Sequence, residues 1–211
     1  MPKFAPEGYP FIIISALVTV VVFVSFGFSI ALIPFTAMLF MFFFFRDPER
    51  TIPDAHNLIV APADGRVIKI SKEHEPLYLK AMTKGVSIFM SPLDVHVNRS
   101  PCNGNVTKIR HNKGRFVAAY RDDASLKNEN IEMVMKTPYG DILVRQVAGS
   151  VARRAVCRKK EGDNLQRGER YGIIKFSSRL DVYLPLDMDI KVKLKDKVKA
   201  GETVIAEMSS S

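Results

Sequence analysis

The feature that most constrains this chain is an uncharged run of 35 residues, from Phe11 to Phe45. About 20 apolar residues are enough to cross the hydrocarbon core of a bilayer, so the run is too long for one simple crossing. Gly27, Ser29 and Pro34 interrupt it near the middle. These residues disfavour a continuous helix, and the run therefore predicts two short apolar helices joined by a tight turn.

We place these helices at roughly 11–28 and 31–45, as a membrane-anchoring hairpin. A signal peptide fits less well, because its apolar part is only about 7 to 15 residues long and a small-residue cleavage site would follow. A proline-marked link then leads into a different kind of sequence. We expect two domains, an anchor in residues 1–45 and a catalytic domain in residues 46–211.

All of the net charge belongs to the second domain. Lys3 and Glu7 cancel within the first 45 residues, so the formal charge of +9 lies on residues 46–211. Arg46, Arg50 and this basic excess favour the cytoplasmic side of the cell membrane, where anionic lipids attract basic surfaces. The basic residues are scattered and do not alternate with aromatic ones, so we expect no nucleic-acid partner.

The two cysteines, Cys102 and Cys157, form no CxxC pair. Neither a disulfide framework nor a zinc site is indicated, and two unpaired thiols are typical of a reducing cytosol.

Beyond residue 46 the pattern changes to short apolar runs separated by glycine and proline turns. This spacing predicts a mainly β fold, a sandwich or partly open barrel. The expected strands lie within 57–70, 85–90, 93–100, 104–110, 115–120, 131–137, 142–147, 171–176, 180–184, 189–194 and 202–208, and the segment 148–157 is compatible with a helical turn or a strand. Ala61–Ile70 and Lys195–Met208 each resemble a half-motif of the lipoyl-like barrel-sandwich hybrid folds.

A pair of adjacent serines, Ser177 and Ser178, connects two of these runs within YGIIKFSSRLDVYLP. Taken alone, such a pair is most often just a turn. Other polar groups stand at predicted strand ends or turns, where functional side chains are common. They are Asp64 in PADG, Asp94 and His96 in SPLDVHVNRSP, Asn128 and Glu129 in KNEN, and Arg153 and Arg154 in AGSVARRAV.

Together these segments resemble the membrane-associated phosphatidylserine decarboxylases, of the short bacterial and archaeal type. The resemblance covers nearly the whole chain, and its specificity comes from six segments in the right order. They are the apolar hairpin, FFRDPER (44–50), APADGRV (61–67), IFMSPLDVHVNRSP (88–101), QVAGSVARRAV (146–156) and GERYGIIKFSSRLDVYLP (168–185).

The resemblance implies that the enzyme makes its own cofactor. The Ser178 hydroxyl would attack the carbonyl of Ser177, and the chain would divide into a large chain, 1–177, and a small chain, 178–211, that begins with a pyruvoyl group. This ketone would form a Schiff base with phosphatidylserine and give phosphatidylethanolamine and carbon dioxide, without metal or pyridoxal phosphate. Ser177 departs from the glycine usual at this position, where a Cβ can slow cleavage.

The resemblance also assigns Asp64 and His96 to the catalytic group with Ser178. By itself, Asp64 before a glycine is a routine turn residue, and a histidine in an alternating strand is more often structural. Asp94 can orient His96 or simply cap a turn. Arg99 stands where longer relatives carry a second histidine, which leaves open how His96 and Asp64 divide cleavage and decarboxylation.

Arg153 and Arg154 are candidates for binding the lipid phosphodiester, because guanidinium groups fit phosphate oxygens. They can equally be solvated charges at the membrane surface. Two alternative functions stay open, a decarboxylase of ether-type serine phospholipids and a non-catalytic membrane-tethered binding module. Besides the bilayer and the two chains of one precursor, the sequence leaves open a homo-oligomer.

Overall fold

In a computed structural model the chain divides into two compact units, Met1–Glu49 and Arg50–Ser211. The structure describes residues 3–55, 57–114, 128–149, 154–175 and 178–208. The fold is mainly β: of the described residues, 45% are in strands and 21% in helices. The expected fold class, a partly open β barrel that follows an N-terminal helical pair in the sequence, is confirmed.

The first unit is a helical hairpin with a small two-stranded sheet at its ends. Its elements are β1 (Lys3–Phe4), a 3-10 turn (Pro6–Gly8), α1 (Tyr9–Phe26), α2 (Phe28–Phe44) and β2 (Arg46–Asp47). Only Gly27 separates the helices, at a positive φ of 81° that favours glycine. Pro34 lies inside α2, as it does in the expected helix 31–45; apolar helices tolerate such residues.

The residues before the first helix are hydrogen-bonded to those after the second helix. β1 pairs antiparallel with β2, so that Phe4 lies opposite Arg46. The Ala5 amide donates a hydrogen bond to the Phe45 carbonyl at 2.9 Å, and the Phe11 ring stacks on Phe45 with 5.3 Å between centroids. The chain therefore enters and leaves the hairpin at one end, and Gly27 turns it at the other.

The hairpin tip is apolar and exposed. Val24, Phe26 and Phe28 are 78%, 66% and 68% exposed. Within the described residues, the stretch Pro6–Phe26 is long and apolar enough to cross a membrane, and the second helix is shorter.

The second unit consists of antiparallel strands. They are β3 (Leu58–Val60), β4 (Gly65–Glu75), β5 (Ala81–Met90), β6 (Val97–Arg99), β7 (Gly104–Asn112), β8 (Asn130–Thr137), β9 (Gly140–Ala148), β10 (Ala155–Cys157), β11 (Asn164–Leu165), β12 (Arg170–Ile174), β13 (Ser178–Leu184), β14 (Met188–Ile190), β15 (Lys197–Val198) and β16 (Val204–Met208).

One curled sheet dominates this unit. Its eight strands run in the order β11-β7-β8-β9-β13-β5-β4-β15 and form a half-barrel. Two three-stranded sheets accompany it, ordered β10-β12-β6 and β14-β16-β3. Alternating residues of the large sheet contribute apolar side chains to a common core, including Val86, Ile88, Val144 and Val182.

The two half-motifs noted in the sequence pair with each other. The Ala61 amide donates to the Thr203 carbonyl at 2.8 Å, and the Gly201 amide donates to the Ala61 carbonyl at 2.8 Å. Next to this contact, β15 pairs with the beginning of β4. These hydrogen bonds thus join two segments of the second unit that are far apart in the sequence.

Several strand predictions need correction. The strand expected over 189–194 ends at Ile190, and the one expected over 93–100 is limited to Val97–Arg99. Residues 91–94 instead form a turn, because the Asp94 amide bonds back to the Ser91 carbonyl at 3.0 Å. The strand expected over 115–120 lies outside the described residues.

The other face of the large sheet carries buried ionic groups. Cross-strand register places Glu132, Arg145, Asp181 and Ser87 in one row. Arg145 Nη2 lies 2.7 Å from Glu132 Oε1, and Arg179 Nε lies 2.6 Å from Asp181 Oδ1, both side chains of the latter pair being 2% exposed. Arg179 also donates to the Ser87 hydroxyl at 2.9 Å. Each charge therefore has a partner.

Removing one partner of a buried ion pair leaves the other charge uncompensated. We expect Asp181→Ala to lower the free energy of unfolding by about 3 to 5 kcal/mol, and Asp189→Ala, in an exposed pair with Lys191, to have little effect. Urea unfolding of the detergent-solubilised full chain, followed by far-UV circular dichroism, measures this. A Ser178→Ala background keeps the chain length constant, and equal midpoints for the two variants would contradict the prediction.

Candidate active site

Ser178 is the first residue of β13 and is fully buried. The chain leaves β12, in a three-stranded sheet, and enters β13 in the large sheet. Ser178 lies between Met90 of β5 and Ala148 of β9, and its hydroxyl is 3.3 Å from the Met90 sulfur. The prediction of a serine at a junction between two strands is confirmed for Ser178, and Ser177 lies outside the described residues.

His96 is fully buried directly before β6. Its Nδ1 is 2.9 Å from the Asp94 carbonyl oxygen. Its own carbonyl accepts a hydrogen bond from the Ile174 amide at 3.4 Å, and Ile174 ends the strand that leads to Ser178. The contact with Asp94 thus orients the imidazole ring. His96 also lies next to Ile174, which is four residues before Ser178.

The Asp94 side chain caps a turn. Its Oδ2 accepts hydrogen bonds from the Ser91 amide at 2.8 Å and from the Ser91 hydroxyl at 2.7 Å. Asp94 therefore contacts the imidazole of His96 through its backbone carbonyl, while its carboxylate holds the turn. The two roles considered from the sequence are combined in one residue.

Asp64 directly precedes β4, and both of its carboxylate oxygens accept hydrogen bonds. Oδ1 accepts from the Ala200 amide at 2.8 Å, and Oδ2 accepts from Arg50 Nη2 at 2.7 Å. Burial raises the pKa of this carboxyl above its usual value, and the nearby charge of Asp94 adds to the rise. The Ala200 amide and Arg50 oppose it.

The three candidate catalytic residues come from segments that meet around the end of β5. β4 and β13 flank β5 on opposite sides. Gly65, next to Asp64, has a φ of 153°, and a Cβ there would lie 2.1 Å from the Phe89 carbonyl oxygen. Only glycine allows this close approach. The segment of His96 joins the segment of Asp64 through a 2.9 Å hydrogen bond from the Arg99 amide to the Pro62 carbonyl.

Two buried amides next to Ser178 were not recognised in the sequence. Gln146 Nε2 donates to the Asn98 Oδ1 at 2.8 Å and to the Val156 carbonyl at 3.3 Å. Because a carbonyl only accepts, Val156 sets the orientation of the Gln146 amide, which in turn sets that of Asn98. Asn98 Nδ2 therefore points at the Met90 sulfur, at 3.8 Å, which the Ser178 hydroxyl also contacts.

Asn128 supports the strand next to Ser178. It is buried, and its Nδ2 donates to the Ala148 carbonyl at 2.7 Å, while the Ala148 amide donates to the Glu129 carbonyl at 2.9 Å. Ala148 pairs with Ser178. Asn128 and Glu129, to which the sequence analysis assigned no role, thus fix one wall of the site.

The basic candidates are only partly described. Arg154 is exposed, and its carbonyl accepts a hydrogen bond from the Lys175 amide at 3.2 Å. This contact places two cationic residues beside each other shortly before Ser178. Arg153 lies outside the described residues. Arg99, in contrast, is buried, and its guanidinium donates to the Gly168 carbonyl at 3.0 Å.

Comparisons with known proteins give one consistent result. Residues 37–206 match a family model described as phosphatidylserine decarboxylase. A phosphatidylserine decarboxylase proenzyme from Syntrophus aciditrophicus is 47% identical over 201 residues, which cover 94% of each chain. The proenzymes of Geobacter metallireducens and Burkholderia multivorans are 46% and 40% identical over 208 residues; the alignments cover 95% and 98% of this chain and 94% and 97% of theirs.

The two thiols of the second unit differ in burial, which can be tested chemically. Burial raises the pKa of Cys102 to about 12 and also raises that of the half-buried Cys157. At pH 8 we expect Cys102 to stay protonated and unreactive towards Ellman's reagent in the folded Cys157→Ser variant, and to react after denaturation. Rapid reaction of that thiol in the folded protein would contradict the described core.

Proposed function

The chain belongs to the phosphatidylserine decarboxylase family, and on that premise we propose that it decarboxylates phosphatidylserine after cutting its own chain between Ser177 and Ser178. The reaction makes it a carboxy-lyase of phospholipid biosynthesis, and its relatives are named as proenzymes. The observation that carries the proposal is the position of Ser178, a buried hydroxyl at the first residue of a central strand.

The proposed cut is an internal rearrangement of the backbone. The Ser178 oxygen attacks the Ser177 carbonyl carbon, and the peptide bond to the Ser178 nitrogen breaks, which leaves an ester. Loss of the Ser178 α-proton then releases the large chain as a carboxylate. The small chain takes up one water and loses one ammonia to become a pyruvoyl terminus.

The surroundings of Ser178 leave its hydroxyl available for this attack. The residue is fully buried, so bulk water does not surround the hydroxyl. The hydroxyl contacts the Met90 sulfur at 3.3 Å. A thioether is a weak acceptor, and this contact costs little to break when the hydroxyl moves to attack.

We assign proton transfer to His96 and Asp64. The Asp94 carbonyl only accepts, so the 2.9 Å contact fixes the hydrogen on His96 Nδ1. The neutral ring then has its basic lone pair on Nε2, as a general base requires. The Asp64 carboxylate, whose orientation is set by Ala200 and Arg50, is the second proton acceptor.

A pyruvoyl group at residue 178 supplies an electron sink for the carbon that loses carbon dioxide. The buried position, at the Met90 sulfur that the Asn98 amide also contacts, fits a small carbonyl group that needs exclusion of water. We assign binding of the lipid phosphate to Arg154 together with Arg153, because Arg154 is exposed and adjoins Lys175. A guanidinium group can bind two phosphate oxygens at once.

We further propose that the first unit anchors the enzyme in the cell membrane, with the catalytic unit on the cytoplasmic side. α1 is about 27 Å long at 1.5 Å per residue, just short of a hydrocarbon core of about 30 Å. The hydrogen-bonded ends and the apolar tip favour insertion from one face, with the tip in the hydrocarbon. The basic second unit supports the cytoplasmic side.

Removing the attacking hydroxyl tests the cleavage. We expect Ser178→Ala to remain a single chain without decarboxylase activity, because no oxygen is available to form the ester. The matched control Ser177→Ala keeps that hydroxyl and should still cleave, since residue 177 contributes only its carbonyl. Gel analysis and carbon dioxide release from phosphatidylserine vesicles measure both variants, and a cleaved Ser178→Ala protein would show that another residue is the nucleophile.

The insertion of the tip has its own test. Phe26→Lys places a charge where the proposal puts hydrocarbon, at a cost of about 2.5 to 3.5 kcal/mol. We expect less of this variant than of the parent to float with vesicles in a density gradient. The control Tyr9→Lys, near the hydrogen-bonded end, should float like the parent. Equal flotation of the two variants would place the tip in water beyond the bilayer.

A further inference from the structure

We propose that Arg50 is a positioning residue that holds the Asp64 carboxylate ionised and correctly oriented for proton transfer. This inference rests on the proposed function, because it takes Asp64 as a proton acceptor in chain cleavage. Arg50 was recognised in the sequence only as part of a basic flank that follows the apolar run.

The geometry is that of a nearly buried ion pair. Arg50 Nη2 lies 2.7 Å from Asp64 Oδ2, and the side chains are 7% and 13% exposed. The other terminal nitrogen lies 3.7 Å from Glu202 Oε2. The Ala200 amide holds the second oxygen of Asp64 at 2.8 Å. The guanidinium is thus held between two carboxylates, and both oxygens of Asp64 have a fixed direction.

Arg50 also affects the charge of Asp64. Burial and the neighbouring Asp94 both favour the protonated form of Asp64, whereas Arg50 and the Ala200 amide favour the ionised form. A protonated carboxyl cannot accept the proton of a serine hydroxyl. Of these opposing groups, Arg50 is the only one that bears a full positive charge, so its removal raises the pKa of Asp64 further.

Contacts within the second unit hold the segment that carries Arg50. Arg167 donates hydrogen bonds to the carbonyls of Pro53 and Ala55. The Ile52 side chain packs so closely on Gly168 that a Cβ there would lie 2.2 Å from its Cδ1. These contacts act within five residues of Arg50. They restrict the segment, so that the guanidinium stays at Asp64 without paying the full entropy of ordering a free chain.

The Arg50–Asp64 pair joins the residues just after the apolar run to a candidate catalytic residue. Arg50 is the first residue of the second unit, and it binds a carboxylate 14 residues further along the chain. A purely structural ion pair would contribute little net stability when buried. A role in setting the charge of Asp64 gives the pair a function that stability alone does not.

The test follows cleavage of newly made precursor as a function of pH. The full-length chain is synthesised in a cell-free system with phospholipid vesicles, transferred to buffers of different pH, and the conversion of 1–211 to 1–177 is timed on gels. Asp64 must be ionised to accept a proton, so the rate falls as pH drops through its pKa. We expect Arg50→Gln to move this fall to higher pH, and Arg50→Lys to move it less.

Two control variants separate the possible outcomes. Arg66→Gln removes a nearby arginine that donates to the Lys195 carbonyl and should leave the profile unchanged. Asp64→Asn should abolish cleavage; normal cleavage by that variant would contradict the proposed role of Asp64 itself. An inactive Asp64→Asn together with a parental profile for Arg50→Gln would overturn only the inference about Arg50. If Arg50→Gln does not fold, as judged by circular dichroism, the uncharged Arg50→Met decides, and a parental profile for it overturns the inference.

Discussion

The site depends above all on the pairing of β13 with its two neighbours. Ser178 begins this strand and is hydrogen-bonded into the large sheet between β5 and β9. A one-residue slip in an antiparallel sheet moves every side chain to the opposite face. The register that buries Leu180 and Val182 in the core is therefore the same register that brings the Ser178 hydroxyl to the Met90 sulfur.

The same pairing explains how the proposed two-chain enzyme holds together. Three of the four strands that the structure describes after the cut pair with strands that precede it: β13 with β9 and β5, β15 with β4, and β16 with β3. The fourth, β14, pairs with β16. The buried pair of Arg179 and Asp181, with the bond to Ser87, begins directly after the new terminus. The small chain thus remains fixed by backbone and ionic contacts when the covalent link is lost, and the terminus stays in its buried position.

Local patterns predicted the parts of the fold that depend on neighbouring residues. Alternating apolar residues and glycine turns gave the β architecture, and Gly27 gave the hairpin. Pro34 did not end the second helix, because apolar helices tolerate proline. The strand expected up to residue 194 was shorter because Lys193 and Asp196 form a turn, in which the Asp196 amide donates to the Lys193 carbonyl and the Asp196 carboxylate accepts from the Lys193 amide.

The geometry of the site was harder to predict from the sequence, because its contacts join residues that are far apart in the chain. Motifs indicated Ser178, His96 and Asp64, but Asp64 receives one hydrogen bond from Ala200, 136 residues away. The link from Val156 through Gln146 to Asn98 joins three strands, and no spacing within the chain encodes it. Asp94 contacts His96 by its carbonyl, a contact that is independent of side-chain type and so leaves no residue signature.

We propose that the chain makes its own pyruvoyl group at Ser178, and intact-mass measurement of the membrane-purified protein can decide this. Self-cleavage should give two species, residues 1–177 and residues 178–211, the smaller one lighter by one ammonia than the free peptide and gaining two hydrogens on borohydride treatment. A single 211-residue species that neither borohydride nor hydroxylamine alters would contradict it.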